Sequence, residues 1–349
     1  MGNFELLPGL LLPWYERNKR DLPWRGSRDP YHIWISEIML QQTRVEAVKK
    51  YYLRFVDVLP DISALSEVDD DQLYKLWEGL GYYSRARNLK KAAQVIMSEH
   101  RGIFPRKYEK VIELPGIGEY TAGAICSIAY DMPVPAVDGN VLRVAARLLN
   151  DNSAVDSPAF KNSVRLRLQA VYPKEAGMFT QALMELGATV CGPNRKADCA
   201  SCPCCDICIA YRKGTVDLLP VRSPKKAKRQ ESLTVFVLQC GDRYAIEKRA
   251  SKGLLAGLWQ FPNVPGKLDD QAALDYLETC GLRPEAILKT TEMEHIFTHI
   301  IWKMHGVYVK VKAISGDFNW LTNEQIDAEA ALPTAFRQFW YKREVNYNE

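Results

Sequence analysis

The hydrophobic spacing of this 349-residue chain changes period once, and that change constrains the fold more than any other feature. From about residue 30 to 212 apolar side chains recur at helical intervals with short breaks; after about residue 233 they alternate, as in half-buried strands. One core does not serve both patterns at this length, so more than one domain is expected. The reading is a multidomain chain: an all-α part over 1–213, a connector over 214–231 and an α+β part over 232–349. Helices are expected near 32–42, 45–55, 70–78, 85–99, 107–113, 120–129, 141–149, 157–171 and 176–190. In the second part 233–238, 243–248 and 305–312 read as strands, Gly241-Asp242 as a turn, and 271–280 as a helix stopped by Gly281.

The connector holds Pro220, Pro224 and five cations and lacks core-forming periodicity, so it reads as a basic tether. Net charge is only +4. Its distribution is informative: Lys+Arg exceed Asp+Glu by three in 1–213 and by three in 214–232, whereas 233–349 carries two more acids than bases. A polyanionic partner therefore fits the first part better than the last. No stretch approaches the roughly 18 apolar residues of a membrane span. The apolar run from Leu6 to Trp14 is broken by Pro8, Gly9 and Pro13 and does not read as a signal peptide. A cytoplasmic chain is expected, nucleoid-associated if bacterial.

Six of the nine cysteines, Cys191, Cys199, Cys202, Cys204, Cys205 and Cys208, fall within eighteen residues. Clustered thiols in a cytosolic chain point to a metal or iron-sulfur site rather than to a disulfide framework. By local spacing alone four thiolates would also hold zinc.

Three segments carry chemistry. Leu114-Pro-Gly-Ile-Gly-Glu-Tyr-Thr-Ala122 joins two helical stretches; Gly116 and Gly118 permit a tight turn and let a phosphate approach backbone N–H groups at the second helix's N-terminus. A plain glycine-rich turn between packed helices fits the same residues. Asp138 precedes the amphipathic stretch 141–149, so it is both an ordinary N-cap and a carboxylate able to face a developing cation. Glu37 has Ile33, Trp34 and Gln41 as helical neighbours; buried there, it would favour its protonated form and serve as a general acid. A glutamate at the stripe's edge, pointing to water, would read identically.

Taken together these residues resemble the helix-hairpin-helix DNA glycosylases and, within them, the adenine glycosylases of the MutY type. The resemblance lies in Leu22-Pro-Trp-Arg25, Ser36-Glu-Ile-Met-Leu-Gln-Gln-Thr-Arg44, Trp77-Glu-Gly-Leu-Gly-Tyr-Tyr-Ser-Arg85, the hairpin 114–122, Val137-Asp-Gly-Asn-Val141 and Ala182-Leu-Met-Glu-Leu-Gly-Ala188. Further on, Gly253-Leu-Leu-Ala-Gly-Leu-Trp-Gln-Phe-Pro262 and Phe297-Thr-His299 are similar to the family's MutT-like recognition domain. The resemblance implies an enzyme that removes adenine opposite 8-oxoguanine or guanine in double-stranded DNA by hydrolysing the N-glycosidic bond after flipping the base. It implies Glu37, Asp138, Asn140 and Tyr120 as catalytic residues. Arg25, Gln42, Tyr82, Gly116, Gly118, Phe297, Thr298 and His299 would contact DNA, and Cys191, Cys199, Cys202 and Cys208 would hold one 4Fe-4S cluster in a monomer.

Tyr120 and the stretch 271–280 separate this chain from two related classes of enzyme, and the cysteine spacing and Thr298 depart from the family pattern. Endonuclease III-like relatives carry a lysine where Tyr120 stands, and a tyrosine has no amine for Schiff-base chemistry, so glycosylase without lyase activity is implied. The first cysteine gap is one residue longer than usual, and Cys204 and Cys205 leave six thiols for four places. The family's Phe-Ser-His loop has Thr298 at its centre. The stretch 271–280 lacks the Arg-Glu-x-x-Glu-Glu arrangement with which a Nudix hydrolase holds Mg²⁺. A glycosylase/lyase, a nucleotide hydrolase and a non-catalytic iron-sulfur DNA-binding protein remain the other readings.

Overall fold

The computed structural model describes residues 2–193, 197–224 and 227–343. Its internal contacts divide the chain into two units: Met1–Val68 with Arg87–Lys225, and Asp69–Ala86 with Lys226–Glu349. The division differs from the expected boundaries in two respects: the connector clusters with the helical unit as far as Lys225, and the segment Asp69–Ala86, helical in pattern, clusters with the C-terminal residues.

The first unit is all helical. Helix Pro30–Leu40 begins where Asp29 accepts the Tyr31 N–H (2.8 Å) and Pro30 presets the first turn. Every residue from Ile33 to Met39 is buried, so this is a core helix with no solvent face, and Glu37 lies inside it. The sequence reading carried this helix to 42; it stops at Leu40, and Gln42 takes the left-handed region at φ 60°. Helix Glu119–Tyr130 follows the hairpin, with Gly118 as its N-cap. Helix Gly139–Leu149 is capped by Asp138 and packs with helix Ala176–Thr189. Helices Leu7–Asn18, Ile62–Glu67 and Ile209–Lys213 were not expected from spacing. Leu7–Asn18 tolerates Pro8 in its first turn, and Leu7, Leu11, Trp14 and Tyr15 anchor it in the core.

The second unit is α+β. Its seven-stranded sheet comprises β1 (Arg229–Cys240), β2 (Arg243–Lys248), β3 (Trp259–Gln260), β4 (Asn263–Pro265), β5 (Pro284–Ile296), β6 (Ile300–Val311) and β7 (Asn319–Thr322). The order is β3-β2-β1-β6-β5, with β4 on β1 and β7 on β2. β1 runs parallel to β6 from Arg229 opposite Ile300 to Gln239 opposite Lys310, and β5 is antiparallel to β6. Helix Asp270–Thr279 covers one face with Ala273 and Leu277; Phe336, Phe339 and Trp340 of helix Thr334–Tyr341 cover the other.

The connector is less free than its composition implied. Val216–Leu218 forms a short 3₁₀ turn, Leu219 is buried, the Val155 N–H donates to Val221 O (3.0 Å), and Ser223 binds Asp156 through both its N–H and its hydroxyl. β1 already begins at Arg229. Lys225 and Lys226 of the basic run lie outside the described residues.

Candidate active site

A cleft of about 790 Å³ in the helical unit is lined by Arg25, Glu37, Gln41, Gln42, Tyr120, Asp138, Asn140, Arg143, Met184 and Glu185 among others. Of the four expected catalytic residues, none lies elsewhere. Glu37 is 6% exposed, which decides between the two readings of its helix face. Burial pushes its carboxyl up to about 7; the Tyr120 hydrogen bond opposes this, and the charge of Asp138 adds to it. Tyr120 donates its O–H to Glu37 Oε2 at 2.5 Å. Burial and the facing carboxylate hold the phenol well above its usual range, so it stays a donor.

Asp138 fulfils both roles the sequence allowed. One oxygen caps the helix, accepting the Val141 N–H at 2.7 Å, and the other accepts from Asn140 Nδ2 at 2.7 Å. Burial raises its carboxyl, against the pull of those two donors. Asn140 in turn accepts from Arg143 Nη2 (2.9 Å), and Arg143 donates to Gly187 O (2.6 Å) and Cys191 O (2.9 Å). This close approach needs a glycine: a Cβ at Gly187 would meet Asn140 Cβ at 2.6 Å. Gly187→Ala is expected to lower unfolding free energy by about 1–3 kcal/mol through overpacking. A thermal melt checks it, and an unchanged midpoint would show that the two helices yield.

The hairpin glycines differ. Gly116 sits at φ 78° and a Cβ there would strike Asn88 Cβ at 2.6 Å, whereas a Cβ on Gly118 meets nothing within 4 Å. Gly116 is thus required by the protein's own packing, and Gly118 leaves open space at the N-terminus of helix Glu119–Tyr130. Arg25, expected at DNA, donates to Glu185, as Arg20 does at 2.7 Å. Burial alone would raise the Glu185 carboxyl, and the two arginines reverse this and hold it at about 2. The Arg20–Glu185–Arg25 group and Arg143 were not singled out from sequence. The signals available were a glutamate inside the apolar stretch 182–188 and arginines four apart, 143 and 147, in an apolar helix.

All six clustered thiols line one small cavity with Val144, Arg147, Leu148, Leu186 and Tyr211. Cys204 is 1% exposed and belongs to the helical core, while Cys205 is directed to Asp206 (3.6 Å). Among the described residues no three His, Cys, Asp or Glu side chains form a group able to hold a single metal ion.

In the second unit Trp77 Nε1 and the Arg85 guanidinium both donate to Gly81 O at 3.1 Å, and the guanidinium lies over the Trp77 ring. That turn displays Tyr82 at φ 48° and 48% exposed, while its neighbour Tyr83 takes the place in the core. Phe297, Thr298 and His299 form the loop joining β5 to β6, closed by the Phe297 N–H donating to Ile300 O (2.8 Å). The Phe297 ring packs edge-on against Trp302, and Thr298 and His299 are exposed. Thr298 Oγ1 lies 3.4 Å from the Tyr82 hydroxyl. Helix Asp270–Thr279 carries no Arg-Glu-x-x-Glu-Glu arrangement.

This chain is similar to an adenine DNA glycosylase of Arabidopsis thaliana, 37% identical over 88% of the chain and 57% of the relative. It is likewise similar to one of Mus musculus, 35% identical over 94% of the chain and 76% of the relative. The chain belongs to the adenine DNA glycosylases. Family models place an HhH-GPD superfamily base excision DNA repair protein at residues 35–164 and a NUDIX domain at 234–342. A thermostable thymine-DNA glycosylase structure matches 60% of the chain and 97% of its own, at 29% identity and TM-score 0.55. Membership in the adenine glycosylases makes base excision by hydrolysis of an N-glycosyl bond the family's chemistry. The chain spans little more than half of the plant relative's length. Among the described residues no helix is long and apolar enough to cross a membrane.

Proposed function

We propose that this chain removes adenine paired with 8-oxoguanine, or with guanine, from double-stranded DNA, as a monofunctional hydrolase. The observation that carries the reading is a buried carboxyl, Glu37, poised at about 7 beside a second carboxylate, Asp138, in one cleft that offers no amine nucleophile at position 120. Two titratable groups in unlike environments divide acid from charge-stabilising work. A base inside a duplex hides its glycosidic bond, so adenine is flipped into the cleft at a cost of a few kcal/mol. Protonated Glu37 gives its proton to adenine N7; the C1′–N9 bond breaks with its electron pair leaving on the base. Asp138, held by Asn140, stabilises the cationic sugar. Water then adds to C1′ and Glu37 takes back a proton. Products are free adenine and an abasic site.

Gln42 in the helical unit and Tyr82 in the second are each exposed, and the family resemblance makes each a candidate to enter the base stack. Gly118 leaves room for a backbone phosphate at a helix N-terminus. Thr298 and His299, at an exposed loop tip, would read 8-oxoguanine, with Thr298 fixed by the Tyr82 hydroxyl. Thr298→Ala is expected to cut the preference for 8-oxoguanine over guanine opposite adenine by about tenfold, a lost hydrogen-bonding group in a discriminating contact. Single-turnover rates on the two duplexes measure it, and an unchanged ratio would remove the loop as reader.

Cys191, Cys199, Cys202 and Cys208 are the proposed ligands of one 4Fe-4S cluster, leaving buried Cys204 and half-buried Cys205 outside the ligand set. All six thiols line one cavity, and the buried cations Arg143, bonded to Cys191 O, and Arg147, bonded to Cys191 Sγ, would offset the negative charge of the group they hold. The cluster supplies structure, since hydrolysis transfers no electron. A single-turnover assay on duplex DNA with one A:8-oxoguanine pair tests the main reading. Excision with no borohydride-trapped adduct is expected; no excision, or trapping in high yield, would overturn it.

A further inference from the structure

Arg147 is 2% exposed in the middle of the helical unit, and its guanidinium has five acceptors. It donates to Cys191 Sγ at 3.2 Å, to Cys191 O at 3.3 Å and to Gly192 O at 2.8 Å on one side. On the other side it donates to Val216 O and Leu219 O, each at 3.1 Å. Its own carbonyl accepts from Cys208 Sγ at 3.4 Å. One residue thus touches the first and last thiols of the proposed ligand set and the first turn of the connector.

A planar, permanently charged fork with fixed donor directions satisfies such a set of acceptors only while both sides stay in place. Buried cations are costly unless compensated, and thiolates holding an iron-sulfur group supply that compensation. Without it, the guanidinium loses its charged partner and the connector loses the donor that fixes its two carbonyls.

We infer that Arg147 is a positioning residue that couples occupancy of the cysteine site to the ordering of the connector segment 216–223. The inference rests on the iron-sulfur reading above, and the coupling is reciprocal: whatever loosens the connector also weakens retention of the group. Anchoring farther along, through Val155 and Asp156, is weaker because Ser223 and Asp156 are exposed.

Limited trypsin digestion of the full chain tests it, with mass spectrometry following cleavage after Arg222 and iron counted per chain in parallel. Removing iron from the wild type is expected to speed cleavage after Arg222 by about tenfold, as for any segment shifted from ordered to locally open, with the thermal midpoint of the helical unit still measurable. Arg147→Lys keeps the charge but not the fork; it is expected to retain most iron and still show faster cleavage after Arg222. Equal cleavage rates with and without iron, or wild-type cleavage in an iron-loaded Arg147→Lys, overturn the coupling. If Arg147→Lys loses its iron, it is compared with the stripped wild type: equal cleavage after Arg222 supports the coupling, and faster cleavage of the variant overturns it, because Arg147 would then hold the connector without the cysteine site being occupied. A wild-type chain purified anaerobically without iron would instead overturn the cluster reading itself, and with it the coupling.

Discussion

Glu37→Gln is expected to bind an A:8-oxoguanine duplex like the wild type and to lose excision by about 10²–10⁴-fold, the usual contribution of a positioned general acid. Glutamine keeps the shape and still accepts the Tyr120 O–H, but it has no proton to give. The environment makes the acid effective: an exposed glutamate would be protonated in only about 0.2% of molecules at pH 7, whereas Glu37, lifted to about 7, is protonated in half. The single-turnover rate should therefore fall as pH rises through about 7, and the variant's residual rate should not show that step. The stability consequence has the opposite use. With the folded pKa above the unfolded one, protonated Glu37 contributes stability that is full below the unfolded value and lost as pH rises through about 7. Glu37→Gln should melt no lower than wild type at pH 8, which separates lost chemistry from lost folding. Wild-type excision by the variant would remove Glu37 as the acid.

Asp138→Asn is expected to reduce excision by about 10²–10³-fold or more, since it removes the negative charge that faces the developing cation in a water-poor cleft. Asparagine caps helices about as well as aspartate, so the Val141 N–H keeps an acceptor. The partner of the other oxygen does not fare as well. An amide at 138 would turn its NH₂ toward Asn140 Nδ2, and Asn140 cannot rotate to accept because its Oδ1 already receives the Arg143 guanidinium. One hydrogen bond is lost, at about 1 kcal/mol. A melting midpoint within a few degrees of wild type, beside a collapse in single-turnover rate, is the expected pair of results. A variant that unfolds, or one that excises normally, would each contradict this account of Asp138.

Much of the helical unit was legible because its apolar spacing and caps are local. Asp29-Pro30, Gly118 and Asp138 each begin a helix where the residue types predict it. Elements lacking a local signature were missed. Helix Leu7–Asn18 carries prolines and is fixed by its core contacts; β5, the partner of β6, alternates in exposure over 289–296 but carries mostly polar side chains there, so its sequence does not show the alternation. The connector was misjudged for the same reason: its order comes from Arg147, Val155 and Asp156, which stand far away in sequence.

The sequence by itself determined the change from helical to alternating spacing, the glycine-rich hairpin between two helices, the helix-capping place of Asp138 and the crowding of six thiols. These follow from residue type and spacing, which are properties of neighbours in the chain. Only the tertiary structure decided that Glu37 is buried and bonded to Tyr120, that Tyr82 rather than Tyr83 is displayed, that Arg25 is engaged by Glu185, and that Arg147 touches both Cys191 and the connector. Burial, a shifted proton affinity and a shared guanidinium depend on groups brought together by packing, across separations of 48 residues from Arg143 to Cys191 and 83 from Glu37 to Tyr120. No periodicity in a chain can encode which distant side chain will remove the water from its neighbour.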